Sequence, residues 1–148
     1  MKTRSFLALA MGLAALVAAP FNSVAAEFPP GSPKFVTDYA KVLADSKESG
    51  KPIILIFSAS WCPPCQTMKK EVYPDAAVKP FHDKFIWAYL DADDEKNKKA
   101  MEKFGVEGIP HIEFLSSAGK SIGKQVGGGS PEDFAKKLKS LLAGANKS

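Results

Sequence analysis

The chain has 148 residues, with 20 Lys and Arg against 16 Asp and Glu, so its formal net charge is +4. The basic residues are scattered and form no stripe that could neutralise phosphates, which argues against nucleic-acid binding. The length predicts a single domain that can bury an adequate core without staples.

The N-terminal segment predicts a secretory signal peptide. Lys2 and Arg4 precede an apolar run of 14 residues, and small residues follow up to Ala26. Because a membrane-spanning helix needs roughly 20 apolar residues, we expect cleavage after Ala26 and no stable membrane insertion. Residues 27–148 would then form one exported domain of 122 residues, whose net charge without Lys2 and Arg4 is +2.

The first half of this domain predicts a helix, a strand and a second helix. A Pro-rich lead covers 27–33. Apolar residues at helical spacing then predict a helix with Ser32 as N-cap, Pro33 in the first turn and Gly50 at its end. The apolar run 53–57 predicts a central strand covered on both faces.

The remaining elements complete an α/β pattern. A helix is predicted to begin at the two cysteines and to be broken by Pro74. A second strand, a polar-faced helix ended by Gly105, a β-hairpin and a last helix capped by Ser130 follow, with a tail at 143–148. The order α, β, α, β, α, β, β, α predicts a central mixed β-sheet flanked by helices on both faces.

The two cysteines, Cys62 and Cys65, are separated by Pro63 and Pro64 alone. A structural zinc site generally needs four ligands, and the two histidines of the chain match no zinc spacing, so we expect no metal. A c-type haem would require His after Cys65, where Gln66 stands. A structural staple gains little from so short a loop.

Thiol–disulfide exchange fits the pair better. A sulfur at a helix N-terminus meets free amide donors and the positive end of the helix dipole, which lower its pKa, so Cys62 is the predicted nucleophile. Cys65, one turn further along, can resolve a mixed disulfide. Pro63 and Pro64 restrict the backbone of the turn.

Three motifs together resemble the thioredoxin family: "WCPPC" after an apolar strand, "GIP" before the hairpin and "VGG" before the last helix. The similarity runs from about Lys51 to Leu142 and is greatest to exported thioredoxin-like proteins and the C-terminal domain of DsbD-type thiol:disulfide interchange proteins. The resemblance implies a thioredoxin-like fold. It also implies a substrate groove whose residues are Trp61, Ile109, Pro110 as a cis-proline, and Gly127.

Two positions depart from the family pattern. Thioredoxins commonly carry a buried Asp six residues before the first active-site Cys and a Lys on the neighbouring strand, where our alignment places Ile56 and Trp87. Another base or water would then deprotonate Cys65, and Glu71 and Glu107 are candidates. Two roles stay open for His111: it tunes the thiols, or it is a half-buried strand residue. His82 is expected on a helix surface.

The resemblance implies a periplasmic thiol-disulfide oxidoreductase that needs no organic cofactor beyond its redox-active disulfide. Its partners would be protein thiols and disulfides and a DsbD-like membrane electron donor. A protein-disulfide reductase is favoured, because Pro63 and Pro64 supply no N–H to the sulfur of Cys62. The alternatives are a periplasmic thiol oxidase and a redox-inert peptide-binding or chaperone module.

Overall fold

The structure is a computed structural model that describes residues 27–145. The predicted signal peptide lies outside these residues. Across the described range, no helix has the length and apolar character needed to cross a bilayer.

In the described part of the chain, five strands form one mixed sheet in the order β1-β3-β2-β4-β5. The central strand β2 runs parallel to β3, which also pairs in parallel with β1, whereas β4 pairs antiparallel with both β2 and β5. The predicted parallel βαβ unit and C-terminal hairpin are therefore confirmed. The strands are β1 (Phe35–Val36), β2 (Ile53–Ser58), β3 (Ile86–Asp91), β4 (His111–Leu115) and β5 (Ser121–Val126).

Within residues 27–145, four α-helices flank this sheet. They are α1 (Tyr39–Ser49), α2 (Pro63–Thr67), α3 (Lys98–Phe104) and α4 (Pro131–Ala145). A π-helical turn, Met68–Val72, continues α2 and ends before Pro74, as predicted. Short 3-10 helices cover Lys79–Lys84 and Glu95–Asn97. Helices α1 and α3 end at Gly50 and Gly105, both in the left-handed region, also as predicted.

Strand β2 is buried over its whole length. Because side chains alternate along a strand, its residues supply two separate apolar clusters. Ile54 and Ile56 pack in the cluster that includes Phe134 and Leu138 of α4. The cluster on the opposite face contains Ile53, Leu55 and Phe57 of β2 with Val42 of α1 and Ala100 of α3. The prediction of a doubly covered central strand is confirmed.

The predicted start of the first helix is wrong. Phe35 and Val36 form β1, which pairs with Trp87 and Ala88 of β3. Helix α1 begins later, at Tyr39, where the side chain of Asp38 accepts a hydrogen bond from the backbone N–H of Lys41 at 2.8 Å. Helical spacing misplaced Phe35, because its ring instead joins aromatic neighbours at the edge of the sheet.

Replacing Ile56 by Asp should destabilise the fold, because Ile56 is fully buried in an apolar cluster. We expect a loss of at least about 3 kcal/mol at pH 7, since an unpaired buried carboxylate is strongly disfavoured. Burial raises the pKa of such a carboxyl above its unfolded value of about 3.9, so the loss grows as pH rises beyond that value. Urea denaturation at several pH values measures it.

The matched control is Ile56→Val, which should cost about 0.5–1.5 kcal/mol with no pH dependence of its own. Equal stability of the Asp and Val variants at pH 7 would contradict the burial of this position.

Candidate active site

The redox turn, which we define as residues 61–66, begins at the carboxyl end of the buried β2. Cys62 is the N-cap of α2, and its sulfur accepts a hydrogen bond from the backbone N–H of Cys65 at 3.3 Å. The two cysteines form a disulfide, with their Cα atoms 5.3 Å apart. The predicted helix start at the cysteines is therefore confirmed, and the amide of Cys65 supplies the sulfur contact expected at a helix N-terminus.

Local contacts hold the redox turn in place. Pro63 and Pro64 occupy the first helical positions, where a missing N–H leaves no helical hydrogen bond unmade. The side-chain amide of Gln66 donates to the carbonyl of Ala59 at 3.0 Å, which ties the helix back to the end of β2. Both cysteines are buried, while the two prolines are exposed.

A second loop meets the redox turn from the start of β4. The Ile109–Pro110 peptide bond is cis, as the family resemblance implies. The carbonyl oxygen of Ile109 lies 3.7 Å from Sγ of Cys62, and Ile109 packs against the cluster formed by Ala59, Cys62 and Cys65. The structure thus places Ile109, which is distant in sequence, directly beside the disulfide, and the cis-proline Pro110 follows it in the chain.

The glycine turn after β5 forms the next part of this surface. The N–H of Gly127 donates to the carbonyl of Pro110 at 2.8 Å, and Gly127 adopts φ of 86°, a conformation that favours glycine. A Cβ on Gly128 would lie 3.9 Å from Cβ of Pro64, so the turn lies next to the redox turn. Pro110 and Gly127 are therefore hydrogen-bonded to each other at a turn that lies beside Pro64 of the redox turn.

Sequence reasoning missed Asp93. The indole N–H of Trp61 donates to the carboxylate of Asp93 at 2.7 Å, and the indole is 66% exposed. This hydrogen bond orients an aromatic ring that packing alone leaves free. Asp93 belongs to a charged run that had the pattern of a solvated loop. The sheet topology offered a signal for this contact: β2 and β3 are adjacent and parallel, so the loops that carry Trp61 and Asp93 leave the sheet at the same edge.

The positions of the missing family ion pair also need one correction. Ile56 lies directly beside Tyr89 on β3, and Trp87 lies beside Ile54 instead. The neighbouring-strand position is thus Tyr89, whose hydroxyl shares a 2.5 Å hydrogen bond with Ser58. Burial raises the pKa of Tyr89, against the opposing hydrogen bond from Ser58, so its phenol stays neutral at physiological pH.

The other candidate acids and bases have different surroundings. Glu71 and Glu107 are both exposed. His82 is half-buried and bonds the carbonyl of Tyr73 at 2.8 Å, so its assignment to a plain helix surface was wrong. His111 lies on β4 and is fully buried beside Glu113, where half-burial was expected. Among residues 27–145, no cluster of three or more His, Cys, Asp or Glu could hold a metal ion.

Comparison with known proteins identifies the family. A family profile described as a thioredoxin-like domain matches residues 39–142. The chain is 32% identical over 111 residues to the chloroplastic thioredoxin-like protein HCF164 of Arabidopsis thaliana, covering 75% of this chain and 42% of that protein. It is 32% identical over 87 residues to a thiol:disulfide interchange protein TxlA homolog of Synechocystis, covering 57% and 46%.

A solved thioredoxin from Thermus thermophilus has the same fold, with a TM-score of 0.68 at 23% identity over 77% of this chain and 90% of that chain. The protein therefore belongs to the thioredoxin family, as a chain with a thioredoxin-like domain and a Cys-Pro-Pro-Cys disulfide. It spans about two fifths of the length of the HCF164 protein.

Gly127 and Gly128 offer a matched pair of substitutions. Gly127→Ala should lower the free energy of unfolding by about 1 kcal/mol, because an L-residue rarely adopts positive φ. No atom outside the neighbouring residues lies within 4 Å of the added Cβ, so the loss would come from the backbone. Gly128→Ala lacks the positive φ and should stay within about 0.5 kcal/mol of the wild type. Urea denaturation measures both; equal losses would refute the conformational explanation.

Proposed function

We propose that the protein is a thiol-disulfide oxidoreductase that acts on protein disulfides through Cys62. The observation that carries this proposal is the Cys62–Cys65 disulfide at the N-terminus of α2, with the carbonyl of Ile109 at 3.7 Å from Sγ of Cys62. The names of the HCF164 and TxlA relatives support the same class of chemistry.

The proposed reaction is a reduction in two exchanges. The Cys62 thiolate attacks one sulfur of a substrate disulfide, and the other substrate sulfur leaves as a thiolate and takes up a proton. Cys65 then loses its proton and attacks Sγ of Cys62, which releases the second substrate thiol and forms the Cys62–Cys65 disulfide. Two electrons pass from the protein to the substrate, and a reductant of the dithiol class must restore the cysteines.

The proposed substrate groove consists of Trp61, Ile109, Pro110 and Gly127. An extended substrate chain could lie beside Ile109, whose backbone would pair with it, so that a substrate sulfur meets Sγ of Cys62. The hydrogen bond between Trp61 and Asp93 supports this arrangement, because it holds an exposed aromatic wall in one orientation.

The polar groups around Cys62 favour electron transfer from the protein to the substrate, the reducing direction. Pro63 and Pro64 contribute no N–H, and the described donor to Sγ of Cys62 is the amide of Cys65. The carbonyl oxygen of Ile109 lies close to the sulfur of Cys62. The carboxylate of Asp93 accepts a hydrogen bond from Trp61, the residue before Cys62. These groups stabilise a thiolate poorly, and a poorly stabilised thiolate goes with a low reduction potential.

Location and electron supply belong to the same proposal. Residues 1–26 have the layout of a signal peptide, which supports export of a single domain, 27–148, to the periplasm. A reductase there would become oxidised unless it received electrons, so a DsbD-like membrane protein is the proposed donor. No organic cofactor is needed for this exchange. A wild-type protein that does not reduce insulin would favour the alternative of a redox-inert peptide-binding or chaperone module.

The two cysteines should fail differently when replaced. Cys62→Ala should abolish insulin reduction, because it removes the attacking thiolate. Cys65→Ala should still attack but should accumulate a covalent complex with insulin, since the mixed disulfide cannot be resolved. Non-reducing gel electrophoresis with and without dithiothreitol detects the complex. Equal trapping by the two variants would contradict the assignment of roles.

The direction of transfer can be measured by equilibration with glutathione. We expect a reduction potential nearer that of thioredoxin, about −270 mV, than that of DsbA, about −120 mV. Alkylation of the free thiols followed by mass spectrometry gives the reduced fraction at each glutathione ratio. A value above roughly −160 mV, more oxidising than protein disulfide isomerase at about −180 mV, would make the protein an oxidase.

A further inference from the structure

A buried pair of polar side chains lies on the strand that follows the cis-proline. Nε2 of His111 is 2.9 Å from Oε2 of Glu113, and the two side chains are 1% and 5% exposed. His111 follows Pro110 in the chain and is the first residue of β4. The proposed exchange reaction uses neither side chain.

The pair continues into a hydrogen-bond chain along the hairpin. The hydroxyl of Ser121, the first residue of β5, donates to Oε1 of Glu113. His111 lies at the opposite end of the hairpin, paired across the sheet with Val126, which precedes Gly127. The chain Ser121, Glu113, His111 therefore connects the turn end of the hairpin to the end that carries the proposed groove.

The surroundings of this chain are apolar. On the same sheet face, His111 and Glu113 lie beside Phe57 and Leu55 of β2, and the His111 ring meets the Phe57 ring edge-on at 5.9 Å between centroids. Replacing a buried ionic or polar pair by apolar residues of similar volume is often neutral or stabilising. Stability of the fold therefore does not by itself account for polar side chains at these two positions.

Their contacts lead to the groove instead. The backbone of Pro110 and His111 is continuous with Ile109, whose carbonyl approaches Cys62, and the carbonyl of Pro110 binds the N–H of Gly127. The hydrogen bond with Glu113 therefore restrains His111 and, next to it, the backbone of Ile109 and Pro110. Through the carbonyl of Pro110 it also acts on the turn at Gly127, so it bears on both sides of the proposed groove. Both sides must keep their separation for an extended chain to fit between them.

We propose that His111 and Glu113 are positioning residues, which together with Ser121 hold the Ile109–Pro110 loop in the geometry that accepts a protein substrate. This inference rests on the proposed function. It concerns hydrogen-bond geometry, so an uncharged partner at position 113 should preserve it. The proposed role is in binding a protein chain in the groove, so the rate of reduction of a small disulfide should depend little on these residues.

The test compares insulin with glutathione disulfide as substrates of the reduced protein. The double variant H111L/E113L should fold with stability equal to or above that of the wild type, because both polar partners are removed together. Its kcat/KM for insulin should fall roughly 10-fold, since small misplacement of binding groups is costly, and its rate with glutathione disulfide should stay within about twofold.

Glu113→Gln supplies the conservative comparison. A Gln side chain carries both a carbonyl acceptor and an amide donor, so it can keep hydrogen bonds to Ser121 and to Nε2 of His111, and insulin reduction should stay within about threefold of the wild type. Lys120→Gln, at an exposed position in the turn of the same hairpin, is the control for general hairpin changes. If the double variant is not recovered folded, Ser121→Ala decides, with an expected loss of about threefold for insulin alone.

Each outcome separates the two levels of the proposal. A wild type that reduces neither substrate overturns the proposed function and this inference with it. An active wild type whose double variant reduces insulin equally well overturns the positioning role alone. If the double variant loses activity equally on insulin and glutathione disulfide, the effect lies on the cysteines and the inference is overturned. If Glu113→Gln is as impaired as the double variant, the charge at position 113 matters, and this too overturns the inference.

Discussion

The position of the cysteines depends on the burial of β2. All six residues of this strand are buried, and helices cover both of its faces, so its end is held at one place at the edge of the sheet. The redox turn follows within a few residues, and Gln66 binds back to Ala59. A rigid strand end is what allows a short helix to present Cys62 in a constant orientation.

Three further strand ends contribute segments to the site around the redox turn. The loop after β3 brings Asp93 to Trp61, the loop before β4 brings Ile109 to Cys62, and the turn after β5 brings Gly127 to the carbonyl of Pro110. Each contact orients one wall around the disulfide. One of these contacts also places the carbonyl oxygen of Ile109 near the sulfur of Cys62, so the residues that shape the proposed groove also contribute to the electrostatics at the sulfur.

The two faces of the sheet differ in the polar residues that they carry near this site. Ile56 and Tyr89 occupy adjacent positions, and neither carries a charge there at physiological pH. On the other face, His111 and Glu113 retain a buried polar contact among apolar neighbours. The protein therefore lacks ionised groups at the two positions of the family ion pair, yet it keeps a hydrogen-bond chain that ends at His111, next to the cis-proline.

Features that depend on short stretches of chain were predictable from the sequence. The apolar run of β2, the glycine that ends α1 and the helix that starts at Cys62 depend on local propensities, and motif resemblance added the cis-proline. Several contacts between distant segments had no signal in the sequence. The pairing of Phe35 in β1, the register that sets Tyr89 beside Ile56, and the contacts of Asp93 and His111 each require a partner from another strand or loop. The local sequence determined most of the elements, whereas the packing of the sheet decided β1 and these contacts, because burial and register arise only when strands assemble.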